Sequence, residues 1–355
     1  MSRWRIIGFV VLCVVCVGGA AAYLMTSNDP ATSRAAPSDD ASPSSTASAD
    51  QIRALLAAPH VVYRDTDLGS GFGHVAVAPL DHLDAPVVTD LACERVDYSG
   101  GRGICLTADR GAVTTYGATI FDQDLGTVAT LDLPGLPSRT RVSADGRHGA
   151  MTTFVYGDSY AASTFSTRTQ LLDLSTGEAL GDLEQFTATK DGKVIDAVDR
   201  NYWGVTFGTG DEFYATLQTG GQRYLVKGDL GARAVDVVTD DVECPSLSPD
   251  GTRIAFKQRH TGTLGQIQWR LAVLDLATLE AHELAETTSV DDQAEWLDDQ
   301  TVLYGLPRGD ASSPTTDVWK VPADGSGAPE ILLPGAWSPG VNRAAAASAG
   351  SSGAT

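Results

Sequence analysis

The stretch that decides the fold spans residues 244–279. It reads C-P-S-L-S-P-D-G-T-R-I-A-F-K-Q over 244–258 and W-R-L-A-V-L-D-L-A-T-L over 269–279. A short apolar strand ends in Ser248-Pro249, and Asp250-Gly251 then form a tight turn. Glycine takes positive φ without steric cost, and aspartate bonds its own backbone. Ile254-Ala255-Phe256 forms a second strand, and Leu271 to Leu276 a third with apolar alternation. Three or four antiparallel strands joined this way make one blade of a β-propeller.

The apolar–Asp–apolar ending of that third strand, Val273-Leu274-Asp275-Leu276, acts as a ruler along the chain. It recurs at Leu171-Leu172-Asp173-Leu174 and Lys227-Gly228-Asp229-Leu230, and more weakly near Asp81, Asp122 and Asp324. The spacing of about 40 to 56 residues is that of propeller blades. The turn recurs as Ser143-Ala144-Asp145-Gly146, with Asp298-Asp299-Gln300-Thr301 in the same slot, so six units are expected. The first unit has strands near Val61-Val62-Tyr63, from His74 to Leu80 and at Pro86-Val87-Val88, but no inner strand before them. Gly335-Ala336-Trp337-Ser338-Pro339 resembles Ser246-Leu247-Ser248-Pro249 and is expected to supply it, closing the ring and removing exposed edges.

These repeats resemble the TolB-type β-propeller repeat, written around S-P-D-G followed by an apolar pair and an apolar–Asp–apolar strand. Residues 244–279 match it well, 139–174 clearly and the other units loosely, over roughly 60 to 340. The layout is similar to uncharacterised actinobacterial TolB-like proteins with an N-terminal anchor. The resemblance implies an all-β, six-bladed propeller of four-stranded antiparallel blades. Residues 26–58 are too short for the α/β domain that precedes the propeller in TolB itself.

Around the propeller at 59–342, the chain divides simply. Arg3 and Arg5 precede an uncharged run to Met25, about 20 residues, just long enough to cross a bilayer core with the remainder exported. A cleaved signal peptide ending near Ala20-Ala21-Ala22 is the rival reading. Residues 26–58, rich in Ser, Ala, Thr and Pro, are expected to form a flexible stalk, with a short helix over 50–56 capped by Asp50. Residues 343–355 read as a disordered tail. A formal net charge of −20 argues against nucleic acid or another polyanion as partner.

Of five cysteines, Cys13 and Cys16 lie in the apolar run. Cys93 and Cys105 flank a hairpin whose three-residue loop, Tyr98-Ser99-Gly100, would set them opposite each other, and in an exported protein they are expected to be bridged. Cys244 reads as a buried thiol.

Chemistry is harder to find. Gly157-Asp158-Ser159-Tyr160-Ala161 lacks the second glycine of a nucleophile elbow. The six histidines are scattered, and no calcium-loop spacing exists, so no metal and no cofactor are expected. Asp240-Asp241, Asp291-Asp292 and Asp298-Asp299 read as solvated turns, and Asp145, Gly146, Asp250 and Gly251 as turn-makers without a catalytic role. Inner strands line a propeller's channel, which makes Arg95, Arg141, Tyr202, Glu243 and Glu295 the candidate binding residues. Trp203, Trp296 and Trp337, at inner-strand ends, read instead as packing between blades. The insert 187–201 is expected to project as a loop. The expectation is a non-catalytic, membrane-tethered binding or scaffold module outside the cytoplasm. Its partner would be an envelope protein or an extracellular ligand. The alternative is a lactonase- or lyase-like propeller enzyme with metal or carboxylates in the channel.

Overall fold

A computed structural model describes residues 48–155, 166–262 and 265–343. The predicted anchor, most of the stalk, the segment 157–161 and the tail beyond Arg343 lie outside these residues. Among the described residues no helix is long and apolar enough to cross a membrane.

Six antiparallel sheets form the ring, as the ruler counted. Their inner strands are Ala336–Asn342 in blade I, Arg95–Ser99 in blade II, Leu136–Val142 in blade III, Asn201–Phe207 in blade IV, Glu243–Leu247 in blade V and Glu295–Asp298 in blade VI. Blade I is completed by His60–Asp65, His74–Pro79 and Val87–Ala92, so the last strand of the ring pairs with the first. His60 faces Asn342, Val62 faces Gly340 and Arg64 faces Trp337, with a bulge between the last two pairs.

That bulge corrects the register behind the expected closure. Ser338 sits at φ 55° with Pro339 after it, and Cys244 sits at φ 51° with Pro245 after it, each at the break in its inner strand. Ser338-Pro339 is therefore the counterpart of Cys244-Pro245, not of Ser248-Pro249. The closing strand was placed correctly through a dipeptide read four residues out of step. Gly204, at φ 66°, holds the same place in blade IV and lies so close to Cys244 that a Cβ would stand 2.6 Å from its Cα.

The repeat turns behave as turn-makers. Ser248 Oγ donates to Asp250 at 2.6 Å and accepts from the Arg253 amide at 3.0 Å; Ser143 does the same with Asp145 and His148 at 2.6 and 2.9 Å. The Asp250 amide also donates to Asp299 of the next blade's turn at 2.9 Å. Trp296 is buried and donates Nε1–H to the Ser246 carbonyl at 2.8 Å, the inter-blade role expected of it. Trp203 is buried as well.

Three local expectations are corrected. The helix runs Ala49–Ala57, and Ser48, not Asp50, caps it by accepting from the Gln51 amide at 3.2 Å. Ile52 and Leu56 are buried among Val75, Val77 and Cys105, so the stalk expected over 26–58 gives way to packed helix by residue 49. The insert does not project. Thr187–Lys190 pairs in parallel with the outer strand Ala234–Asp240 of blade IV, and Lys193–Val194 adds a sixth strand. Cys93 and Cys105 are disulfide-bonded, with Cα atoms 5.4 Å apart, but the hairpin turns through Gly100-Gly101 and sets Val96 opposite Cys105. Cys93 reaches its partner from the crossing between blades I and II. Cys244 is free and buried.

Truncation before Gly335 removes the inner strand of blade I and bares the edge of His60–Asp65. A fall in melting temperature of 10 °C or more is expected by calorimetry, whereas truncation after Arg343 leaves it unchanged. The double substitution Cys93→Ser/Cys105→Ser opens a 13-residue loop and is expected to cost about 3 kcal/mol in urea unfolding.

Candidate functional site

The channel is built by repetition of register. Asp97 pairs with Ile104, Arg141 with Ala150, Thr206 with Tyr214, Ser246 with Ala255, Glu295 with Leu303 and Gly340 with Val62. These pairs put one residue of each inner strand at the same height. Side chains alternate along a strand, and Asp97, Arg141, Thr206, Ser246 and Glu295 all line the channel cavity, with Gly340 against Asp97. Gly340 is glycine for a reason of space: a Cβ there would lie 2.3 Å from Asp97 Oδ1.

The charges in this ring are cross-linked between blades. Arg141 donates to Glu295 across the channel through one amino group, and to the Ala294 carbonyl at 2.9 Å through the other. Arg343, just past the closing strand, adds an ion pair to the other oxygen of Glu295 at 3.5 Å. Asp97 accepts the Tyr98 amide at 3.0 Å and the Val142 amide of blade III at 2.7 Å, one on each oxygen. Two residues along, a second tier repeats the theme. Arg95 donates to Asp292 at 3.0 Å and stacks on the Trp337 ring at 4.9 Å, while Arg139 lies 4.0 Å from Asp292 and Lys257 donates to Asp291 at 2.5 Å.

Burial shapes the protonation of these groups. The Asp97 carboxyl is pushed up to about 6 by desolvation, with Glu295 adding to the rise and Arg141 opposing it. Desolvation likewise lowers Arg95, against the pull of Asp292. Both tiers act mainly as rivets. Each carboxylate is held by a cation or by backbone amides, which ties blades to one another across the channel.

Above the first tier, on the side of the inner-to-second strand turns, lies a cavity of about 420 Å³. Asp97, Arg141 and Glu295 form its floor, and Ser99, Thr209, Glu212, Asp250 and Arg343 its wall. Among the described residues no three His, Cys, Asp or Glu side chains are grouped as a metal site.

The structure thus brings together Arg95, Arg141 and Glu295 of the five candidates. Glu243 is buried at the start of its inner strand and pairs with Arg223 of blade IV at 2.9 Å. Tyr202 points the other way, fully buried in the core shared by blades III and IV. Asp97, Arg139 and Arg343 join the network without a sequence expectation as site residues, and Asp292, expected in a solvated turn, is 2% exposed. A signal was there in the pairs Arg95/Asp97 and Arg139/Arg141, charged residues at a period of two on inner strands.

No protein-family model matches the chain, and no curated protein matches it either. Solved structures do. TolB from Acinetobacter baumannii superposes with a TM-score of 0.55 at 16% identity, covering 80% of this chain and 66% of that one. A chain of a nidogen/laminin complex gives 0.51 at 10% identity, covering 80% and 97%. A puromycin-hydrolysing peptidase from Mycobacterium tuberculosis gives 0.44 at 14% identity, covering 77% and 42%. The chain therefore spans just under two-thirds of the TolB it matches. Its fold is that of a TolB-like six-bladed propeller, and a fold by itself does not fix a function.

The raised Asp97 carboxyl yields a pH prediction. The folded chain holds this proton more tightly than the unfolded chain, whose carboxyl titrates near the ordinary 3.8. Its stabilising contribution is thus complete below about pH 4 and is lost as pH rises through about 6. Asp97→Asn, which cannot ionise, should gain melting temperature relative to the parent between pH 4 and 7 by scanning fluorimetry. A difference that stays flat over that range contradicts the assignment.

Proposed function

We propose that the chain is a binding or scaffold module at the cell envelope, which receives a polar segment of a partner protein in the mouth of its channel. The observation that carries this reading is the recess itself. It is a rigid cavity of about 420 Å³ whose floor charges are spent on holding blades together, so recognition falls to its rim. Glu212, paired with Lys227 at 2.5 Å, Asp250, paired with Arg253 at 3.2 Å, and Arg343 give that rim both signs of charge, and Ser99 and Thr209 give it hydroxyl groups. Placement outside the cytoplasm rests on the arginine-flanked apolar run ending at Met25 and on the Cys93–Cys105 disulfide, which suits an oxidising compartment. On this reading the N-terminal run is a tether and the propeller is a disc held outside the membrane.

A second reading, a lactonase- or lyase-like enzyme, draws on Asp97, a channel carboxyl pushed up to about 6 beside Arg141 and Glu295. A carboxyl poised near neutrality suits proton transfer. Both Asp97 oxygens accept backbone amides, however, and the residue is 5% exposed, so a substrate has poor access to it.

The two readings separate in one experiment. A photo-cross-linking residue at Thr209, in the cavity wall, is expected to capture a discrete partner in native envelopes, while the same residue at Val194, on the outer edge of blade IV, captures none. Thr209→Trp, which fills the mouth, should abolish a cross-link formed from Ser99 without moving the melting temperature. A stoichiometric metal on the purified ectodomain, with no cross-linked partner, would overturn the binding reading.

A further inference from the structure

A second recess lies on the side of the disc, away from the channel. Between the outer strand of blade VI, Glu330–Leu333, and the strands of blade I runs a groove of about 680 Å³. Its chemistry is unlike that of the channel mouth. Leu83, Val88 and Leu332 give it apolar walls, while Asp65, Asp67, Asp81 and Asp84 contribute four carboxyl groups. Of the four, only Asp67 forms an ion pair among the described residues, with Arg308 at 3.5 Å, and that guanidinium is shared with Asp317 at 2.6 Å; Asp65 feels His74 and Arg64 at longer range. Asp81 and Asp84 are exposed and form no ion pair among the described residues.

Tyr63 supplies the independent observation. The residue is 5% exposed, yet its side chain lines the groove. Its hydroxyl makes no hydrogen bond among the described residues. It lies close enough to Asp65 and Asp67 that their charges, after burial, help push its titration upward. A buried side chain that turns its hydroxyl into a recess between carboxylates offers a ligand a hydrogen-bonding group at a fixed place. Positively charged donors complement the carboxyl groups and the phenol oxygen alike.

We infer that this groove is a docking site for an extended, basic segment of a partner protein, with Lys or Arg side chains directed at the aspartates and apolar side chains laid against Leu83, Val88 and Leu332. Charge complementarity selects that occupant over a second copy of this chain, which at a net −20 would be repelled. The alternation of apolar wall and acidic edge suits an extended peptide, whose side chains point alternately to opposite sides. This site is independent of the channel mouth and stands whether or not the mouth binds a partner.

The test uses the ectodomain and a fluorescent ten-residue peptide of alternating Lys and Leu, followed by anisotropy, with a Glu/Leu peptide as control. The basic peptide is expected to bind and the acidic one not. Asp81→Asn/Asp84→Asn should weaken binding at least fivefold and Tyr63→Phe at least twofold, with melting temperatures within 2 °C of the parent. Asp191→Asn/Asp196→Asn removes the same charge from the far edge of blade IV and should leave the affinity unchanged. Equal weakening by both double variants would reduce the effect to general attraction to an acidic protein, and absence of binding by the basic peptide would overturn the site outright. Binding that survives Thr209→Trp but not the groove variants separates this site from the channel mouth.

Discussion

The pairing of Ala336–Asn342 with His60–Asp65 is the constraint on which the molecule depends. A propeller blade has two edges, and stitching the last sheet of a ring to its first covers strand edges that would otherwise lie bare. Here one strand from the end of the chain completes the blade begun some 275 residues earlier, so the backbone edge of Val61-Val62-Tyr63 is covered and its side chains pack with Val341 and Ala336. The same strand delivers Gly340 beside Asp97, Trp337 beneath Arg95 and, one residue past its end, Arg343 beside Glu295. Closure and channel chemistry are thus one event. The ring does not merely surround the charge network, because the strand that closes it supplies three of the network's contacts.

That network has a double character. Taking Arg and Asp out of water is costly, and the attraction between them recovers the cost only with good geometry. The inner strands supply such geometry by placing one residue per blade at each height, with Arg141 reaching Glu295 from blade III to blade VI. The consequence for function is a hard floor under an open mouth. The groove between blades VI and I is the opposite case: of its four carboxyl groups only Asp67 is ion-paired among the described residues.

Much of the architecture was legible because it is repeated. Ser-x-Asp-Gly turns and apolar–Asp–apolar strands each satisfy local demands, a turn at positive φ and an Asx bond to the following amides, so they survive in Asp145, Asp250 and Asp275 without help from distant residues. The Cys93–Cys105 bond is present, but not for the geometry expected of it: Val96, not Cys93, stands opposite Cys105 in the hairpin. The register of the closing strand was not, because Ser-Pro serves both as a turn starter at Ser248 and as a strand bulge at Ser338, and only the pairing with His60–Asp65 tells them apart. The insert read as a loop for a similar reason: Thr187–Lys190 becomes a strand only because the outer edge of blade IV offers it a partner.

The sequence by itself determined the blade, the count of six, the need for a C-terminal inner strand and the turn-making roles of Asp145 and Asp250, since each follows from local periodicity or backbone chemistry. Tertiary structure decided the site. Which face of an inner strand meets the channel depends on bulges such as those at Gly204, Cys244 and Ser338, and one such bulge shifts every later side chain by one position. That is why Arg141 and Glu295 meet while Tyr202, chosen by the same reasoning, turns into the core. Ion pairs spanning 154 residues, and a groove made by the two ends of the chain, have no local signature: they exist only once the ring is shut.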